Sequence, residues 1–166
     1  MFKKIGLLFN TIKYLKAGQV LFRLYYRFRC FSIPSVQSSH SRGWGVWDAP
    51  AYMKSSTNDG VTFNFLGETF ELSSDWNDAS YSKLWLYNLH YLDNLNCKQS
   101  HDQYSLNVKL VNDWVGKNPV MTGNGWEPYV ISLRVVNLIK WFAHNQTNNQ
   151  EWFNSLEEQG LALEKQ

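Results

Sequence analysis

The sequence predicts a mainly helical fold built from antiparallel helical hairpins, with a small β-hairpin near residues 60–72. Three observations lead to this prediction. Apolar residues recur at helical spacing through most of residues 80–166, short polar stretches separate these segments, and one short segment before them alternates instead. Helices joined by short loops form antiparallel hairpins, the units of helical bundles and of α/α toroids. With 166 residues, 44% of them hydrophobic, the chain suffices for one domain with a sizeable core.

We expect residues 1–31 to form a basic amphipathic helical segment, because apolar residues recur there at helical spacing. The other face carries four basic residues, Lys13, Lys16, Arg23 and Arg27. Residues 1–47 hold eight Lys or Arg and no acidic residue. Such a helix packs on the rest of the chain, docks on a partner, or makes weak contact with a membrane surface through residues 1–30. Of these, packing on the chain is the interpretation that we favour.

Residues 32–79 are predicted to form a loop that leads into the hairpin. The first part is rich in Ser, Gly and Pro, and no periodic pattern persists there. After Gly60, five apolar residues alternate with polar neighbours on both sides of a turn: Val61, Phe63, Phe65, Phe70 and Leu72. This pattern is typical of a hairpin, and a hairpin this short needs a helical body to pack against.

Residues 80–166 carry four predicted helices. The first is expected to run from about Ser82 to Asn96, and the third from Pro128 to about His144. The second follows the candidate caps Ser100 and Asp102 and ends at the stop signals Gly116 and Asn118-Pro119, and the fourth starts near Asn149. The limits follow from residues that favour helix ends: hydroxyl and carboxylate side chains at the start, Pro in the first turn, and Gly or Asn-Pro at the end.

Composition and spacing argue against several classes of site. Cys30 and Cys97 are isolated, which indicates neither a disulfide framework nor a zinc site. We find no phosphate-binding loop, no Ser-His-Asp order and no aromatic-basic RNA signature, so we expect no metal, no cofactor and no nucleic-acid partner. Lys13 and Lys16 interrupt the first apolar run, which leaves no convincing signal peptide. Cytoplasmic location is the default, with a periplasmic or cell-surface location left open.

Two aromatic, amide-rich segments, residues 83–93 and 125–141, carry the candidate substrate-binding residues. Each is apolar most of the way round, so its polar groups need buried partners or a cleft. In the first segment a polar stripe follows the i, i+3, i+4, i+7 spacing of one helix face: Tyr87, His90, Tyr91 and Asn94. In the second segment the candidates are Trp126, Glu127, Tyr129 and Arg134.

Each candidate has a structural alternative. His90 is either a hydrogen-bonded interior histidine or a substrate contact. Arg134 either pairs with an acid such as Glu127 or reaches an anionic sugar, because a lone buried charge is costly. Trp126 and Tyr129 either stack on a sugar ring or fix the start of the following helix.

Several motifs together resemble one family. They are Tyr87-Asn-Leu-His-Tyr91, Asn118-Pro119, Gly125-Trp-Glu-Pro-Tyr129 and Ser132-Leu-Arg-Val-Val-Asn-Leu-Ile-Lys-Trp141. In this combination the chain resembles the N-terminal region of heparinase II/III-like polysaccharide lyases. The upstream Leu24-Tyr-Tyr-Arg-Phe28, the hairpin and Asp75-Trp-Asn77 resemble the lead-in of the same family.

The resemblance implies an α/α toroid followed by a β-sandwich domain, and β-elimination of uronate-containing glycans. In that family the catalytic Asn and the Tyr and His that move protons lie on later segments. We therefore expect an N-terminal fragment that binds an acidic polysaccharide but carries no catalytic residue of its own. It should be inactive without the C-terminal toroid and β-sandwich domains. The alternatives are a noncatalytic helical module that binds acidic glycans, and a peripheral membrane or scaffold protein.

Overall fold

A computed structural model describes residues 13–29, 32–34, 36, 45 and 53–166, apart from the side chain of Arg27. The first part of the predicted N-terminal segment, Cys30 and most of the predicted loop before residue 53 lie outside the described residues. The chain divides into two compact units, Met1–Ser32 and Ile33–Gln166. The described residues are mainly helical and include one two-stranded antiparallel sheet, as the sequence predicts.

The first unit contains helix α1, Ala17–Phe28. Its start is closed by Gln19, whose Oε1 accepts a hydrogen bond from the backbone N–H of Lys16 at 3.0 Å. Its last turn is closed by the backbone N–H of Arg29, which donates to the carbonyl of Tyr25 at 2.8 Å. The helix is strongly amphipathic, as predicted for this segment.

The predicted hairpin is confirmed as strands β1, Thr62–Phe65, and β2, Glu68–Glu71. Leu66 and Gly67 join the strands, and both have positive φ, 58° and 82°. A two-residue turn with positive φ at both positions matches the right-handed twist of the strands, and glycine adopts that conformation without strain. Phe65 and Phe70 meet the ring of Trp85 at centroid distances of 5.3 and 5.4 Å, so the hairpin packs on the helical body.

Helix α2, Lys83–Tyr91, begins at Ser82, whose hydroxyl accepts from the backbone N–H of Trp85 at 3.2 Å. The prediction of one helix through Asn96 is wrong beyond Tyr91. The chain turns into the left-handed region at Leu92, with φ 55°, and continues as a short 3-10 turn, Asp93–Asn96. Amide contacts with distant segments replace the α-helical pattern there, as described below.

Three further helices complete the second unit: α3, Tyr104–Lys117; α4, Pro128–Asn145; and α5, Gln150–Lys165. A 3-10 turn, Asn124–Trp126, precedes α4. α5 starts next to Asn149, as predicted, and the Asn149 side chain caps it by accepting from the N–H of Trp152 at 3.2 Å. Ser100 and Asp102 are not the caps of α3, which begins after Gln103 without a side-chain capping bond. The Ser100 hydroxyl instead donates to the carbonyl of Leu95.

Large aromatic side chains form the centre of the second unit. Trp76, Trp85, Trp114, Trp141 and Phe142 are each at most 1% exposed. Their rings meet neighbouring rings edge-on, tilted or stacked, and Phe142, for example, stacks on Trp152 with the two planes 15° apart. α4 contacts both α2 and α5, so it lies at the middle of the helical body. In the part of the chain that is described, no helix is long and apolar enough to cross a membrane.

Candidate functional site

Four of the eight predicted binding residues meet at one surface, together with Lys83. We call this group the Tyr87 cluster: Lys83, Tyr87, Tyr91, Glu127 and Tyr129. Lys83, Tyr87 and Tyr91 are spaced by four residues on α2, which places them on one face. Glu127 immediately precedes Pro128, and Tyr129 lies in the first turn of α4. Packing of α2 against the start of α4 therefore brings the two predicted segments together.

Hydrogen bonds and an ion pair hold the Tyr87 cluster. The hydroxyl of Tyr87 donates to Oε2 of Glu127, while Lys83 Nζ lies 2.8 Å from Oε1 of the same carboxylate. Lys83 Nζ also lies 5.3 Å from the centroid of the Tyr87 ring, within cation–π range. Both oxygens of Glu127 thus have partners, and the carboxylate is held in one position between lysine and tyrosine.

The electrostatics of the Tyr87 cluster favour an ionised carboxylate beside neutral phenols. Burial raises the pKa of Glu127, but hydrogen bonds from Lys83 and Tyr87 outweigh it and leave the pKa below its usual value. Burial raises the pKa of Tyr87, and the bond to Glu127 raises it further. The hydrogen bond to Glu127 raises the pKa of Lys83, which stays cationic at neutral pH.

The rings of Tyr91 and Tyr129 extend the Tyr87 cluster towards solvent. Tyr91 and Tyr129 meet edge-on, with centroids 6.1 Å apart and planes at 83°. Tyr91 is buried, and burial followed by the neighbouring Tyr129 raises its pKa. Tyr129 is 64% exposed, so one aromatic face is available to a ligand. A charged, hydrogen-bonding pair beside an exposed ring is a combination suited to binding a sugar.

His90 lies in the interior. Of the two roles that the sequence left open, interior histidine and substrate contact, this position fits the first. Its side chain has no exposed surface, and Nδ1 accepts a hydrogen bond from Nε1 of Trp114 at 3.0 Å. Burial lowers the pKa of His90 to about 3, with a further lowering by the positive charge of Arg134. Gly125 packs directly on the ring, since a Cβ there would lie 2.6 Å from Nδ1. His90 is therefore a neutral packing residue.

Arg134 is also buried, and its predicted pairing with Glu127 does not form. Nε donates to Oε1 of Gln159 at 2.8 Å, and Nη1 donates to the carbonyl of His90 at 3.2 Å. The guanidinium carbon lies 3.8 Å from the centroid of the Trp114 ring. Neither of the two ion pairs found among the described residues includes Arg134. Burial lowers its pKa well below the usual range.

Asn94 and Trp126 are buried as well. Asn94 accepts from the backbone N–H of Ser56 at 3.0 Å and donates to Oδ1 of Asn107 at 3.1 Å, which ties the loop before β1 to α3. Trp126 donates from Nε1 to the carbonyl of Asn118 at 3.3 Å. A groove-lining role requires solvent access, which the structure does not give to five predicted residues: His90, Tyr91, Asn94, Trp126 and Arg134. Of these, Tyr91 belongs to the Tyr87 cluster only through its contact with the exposed Tyr129.

The sequence interpretation missed two residues that shape this region. Lys83 supplies the only cation of the Tyr87 cluster, and its spacing of four residues before Tyr87 was the available signal. Asn137 donates to Oδ1 of Asp93 at 2.6 Å and to the carbonyl of Tyr91 at 3.0 Å. These bonds hold the end of α2 against α4, and the signal for Asn137 was an amide within an otherwise apolar run.

The remaining chemistry of the described residues is limited. Across residues 13–29 and 53–166, no three His, Cys, Asp or Glu side chains are placed to hold a metal ion. Cys97 is buried as a free thiol. No protein-family model, no curated protein and no solved structure matches this chain.

Proposed function

We propose that this chain is the N-terminal part of a heparinase II/III-like polysaccharide lyase, that its helical hairpins belong to an α/α toroid, and that the Tyr87 cluster contacts an acidic, uronate-containing glycan. Two arguments support the proposal. The motifs at residues 87–91 and 125–141 resemble that family. Tyr87, Glu127 and Tyr129 of these same motifs reach the surface, and together with Lys83 and the buried Tyr91 they form a cluster with the chemistry of a sugar site.

The observation that carries the proposal is the position of Lys83 beside Glu127 and the tyrosine rings. An ammonium group has three donors, and Glu127 Oε1, at 2.8 Å, accepts one of them. Lys83 is largely exposed, so the remaining donors can reach the carboxylate of a uronate. The Glu127 carboxylate can accept from sugar hydroxyls, and the exposed face of Tyr129 can stack on the ring.

The cluster offers binding groups rather than a complete catalytic set. β-Elimination from a uronate needs a donor that neutralises the carboxylate, a base for the α-proton and an acid for the leaving oxygen. Within the cluster, Lys83 serves the first need. Glu127 is a poor base, because its pKa is below the usual value and both oxygens already accept hydrogen bonds. Tyr87 and Tyr91 have raised pKa values and stay protonated.

The binding part is tested by affinity electrophoresis of the chain through gels that contain uronate polysaccharides, with dextran as the neutral control. We expect Tyr129→Ala to weaken binding about tenfold, the order of one lost aromatic contact. Lys83→Ala should weaken it about fivefold. The matched controls are Tyr104→Ala, another exposed tyrosine, and Lys117→Ala, which pairs with Asp113 at 2.7 Å. Equal losses in the controls, or no retardation of the wild type, would refute the proposed site.

The catalytic part is tested by following absorbance of unsaturated uronate. We expect no rise when the chain alone is incubated with the same polysaccharides, because the proposed base and acid lie on other segments. Robust turnover would refute this incompleteness while leaving the binding result intact.

A noncatalytic glycan-binding module is the second candidate, favoured by the absence of an acid–base pair within the Tyr87 cluster. Both candidates predict the same binding results. They are separated by reading the gene beyond the codon for Gln166. A continuation with an Asn-His pair and a β-rich domain favours the lyase, and a stop codon favours the module.

A further inference from the structure

Helix α1 exposes an unusual amount of apolar surface. Six of its residues are each at least half exposed: Leu21, Phe22, Leu24, Tyr25, Tyr26 and Phe28. Single exposed apolar residues are ordinary in soluble proteins, but a contiguous exposed set on one short helix marks an interaction surface. This surface belongs to the first compact unit and has no part in the Tyr87 cluster.

The exposed side chains are ordered around the helix. At about 100° per residue, Leu21, Leu24 and Phe28 fall within a strip roughly 60° wide. Arg23 lies roughly 130° away from the centre of this strip. Phe22 and Tyr26 lie roughly 130° and 170° from the centre of the strip, so the side of the helix that carries Arg23 also exposes two aromatic rings. A strongly amphipathic helix with an apolar strip and basic residues well away from the centre of that strip is suited to lie in the plane of a membrane surface.

The positive charge near the apolar strip indicates a negatively charged partner. Residues 1–47 hold eight Lys or Arg and no acidic residue, and Lys13, Lys16 and Arg23 are exposed in the structure. Long basic side chains at such a position extend toward anionic lipid headgroups while their stems cover apolar surface. A second copy of the helix would bring like charges together, which disfavours self-association.

The length of α1 decides how it would lie. Its 12 residues span about 18 Å, well short of the roughly 30 Å of a hydrocarbon core. A helix of this length with charges on one side lies parallel to the surface. Tyr25, roughly 70° from the centre of the strip, would then lie near headgroup level, where tyrosine is favoured because its ring is apolar and its hydroxyl is polar.

We propose that α1 docks on the surface of an anionic phospholipid bilayer, with Leu21, Leu24 and Phe28 in contact with the acyl chains and Lys16 and Arg23 facing the headgroups. The inference is independent of glycan binding, because it uses different residues.

The test is co-sedimentation of the full chain with vesicles of phosphatidylcholine alone and of equal parts phosphatidylcholine and phosphatidylglycerol. We expect the chain to pellet with the mixed vesicles and to remain largely soluble with phosphatidylcholine alone. Leu21→Ser combined with Phe28→Ser should lower the partition coefficient at least about tenfold. The matched control combines Leu66→Ser with Leu84→Ser, two exposed leucines of the second unit, and should leave binding unchanged.

A charge variant makes the test independent of helix folding. Arg23→Gln keeps a good helix former and the apolar strip, and we expect it to lower binding to mixed vesicles about fivefold and to flatten the salt dependence. The proposal is overturned if both variants bind like the wild type, or if the two vesicle types bind equally. It is also overturned if light scattering without vesicles shows dimers that Leu21→Ser abolishes, because α1 then covers a second copy.

Discussion

At the scale of single residues, the contact between Gly125 and His90 shows how tightly the interior beneath the Tyr87 cluster is packed. A Cβ at Gly125 would lie 2.6 Å from Nδ1 and 2.9 Å from Cε1 of the imidazole. The imidazole cannot retreat without breaking its bond with Trp114, because both rings are buried. Glycine is therefore required here by space, although its backbone φ is not in the left-handed region.

We expect Gly125→Ala to lower the free energy of unfolding by about 2 kcal/mol, the usual cost of overpacking a core. Urea denaturation followed by tryptophan fluorescence measures this. Gly116→Ala is the matched control, because a Cβ at this position in α3 would meet nothing within 4 Å apart from the neighbouring backbone of its own helix. Alanine favours the helix by up to about 1 kcal/mol over glycine, so the control should be neutral or stabilising. A Gly125 variant as stable as the wild type would contradict the packing account.

The protonation of His90 gives a second prediction. Its pKa is about 3 in the folded chain and near 6.5 when unfolded. Below that unfolded value, the unfolded chain binds a proton that the folded chain does not. The free energy of unfolding should therefore fall as the pH drops from about 6.5 toward 3, with a slope of at most about 1.4 kcal/mol per pH unit from this residue.

His90→Gln isolates this contribution, because glutamine can accept from Trp114 but does not titrate. We expect the difference in unfolding free energy between wild type and variant to shrink as the pH falls from about 7 to about 4.5. Urea titrations at several pH values measure it. Parallel pH profiles for the two proteins would show that the imidazole is accessible to protons in the folded state.

At the scale of elements, amide side chains decide where α2 ends. Asn94 accepts from the loop at Ser56 and donates to Asn107 on α3. Asn137 on α4 donates to the carbonyl of Tyr91, at the last residue of α2. The bond from Asn137 satisfies the Tyr91 carbonyl, which a continued helix would pair within itself, so the chain can turn at Leu92.

We expect Asn94→Ala to destabilise the chain by about 2 kcal/mol, because the N–H of Ser56 and Oδ1 of Asn107 lose their partner while partly or fully buried. Amide hydrogen exchange at Ser56 should accelerate more than exchange in α5. Asn88→Ala serves as the control, since the Asn88 side chain donates to the Leu84 carbonyl of its own helix. Unchanged exchange at Ser56 would mean that the loop is held by other contacts.

At the scale of the whole molecule, the second unit places its binding surface on a rigid aromatic interior. The contact between Arg134 and Trp114 and the hydrogen bond between Trp114 and His90 lie in the interior between α2, α3 and α4. Both helices that carry the Tyr87 cluster are anchored to this interior. A ligand that bridges α2 and the start of α4 binds the folded state and not the unfolded chain, so it should stabilise the unit as a whole.

We expect a uronate oligosaccharide at about a hundredfold excess over its Kd to raise the free energy of unfolding by about 2.7 kcal/mol. The gain should be reduced at the same oligosaccharide concentration in Tyr129→Ala and retained in Tyr104→Ala. Thermal denaturation with and without the oligosaccharide provides the measurement. Equal stabilisation of both variants would place the binding site elsewhere on the chain.

The sequence by itself determined the helices, the hairpin and most of their limits. Pro128, Asn149 and the turn at Leu66-Gly67 act on neighbouring backbone groups, so local chemistry suffices to predict them. The amphipathic helix α1 could likewise be predicted from the spacing of its apolar and basic residues. These features depend on residues that are close along the chain.

Only the tertiary structure decided which polar residues face solvent. Tyr87 and His90 lie in one stripe of α2, yet the first meets Glu127 at the surface and the second meets Trp114 in the interior. These partners are 40 and 24 residues away along the chain. Helical spacing places side chains on a face, but the segment that packs on that face decides whether each is buried, and that packing depends on contacts between distant residues.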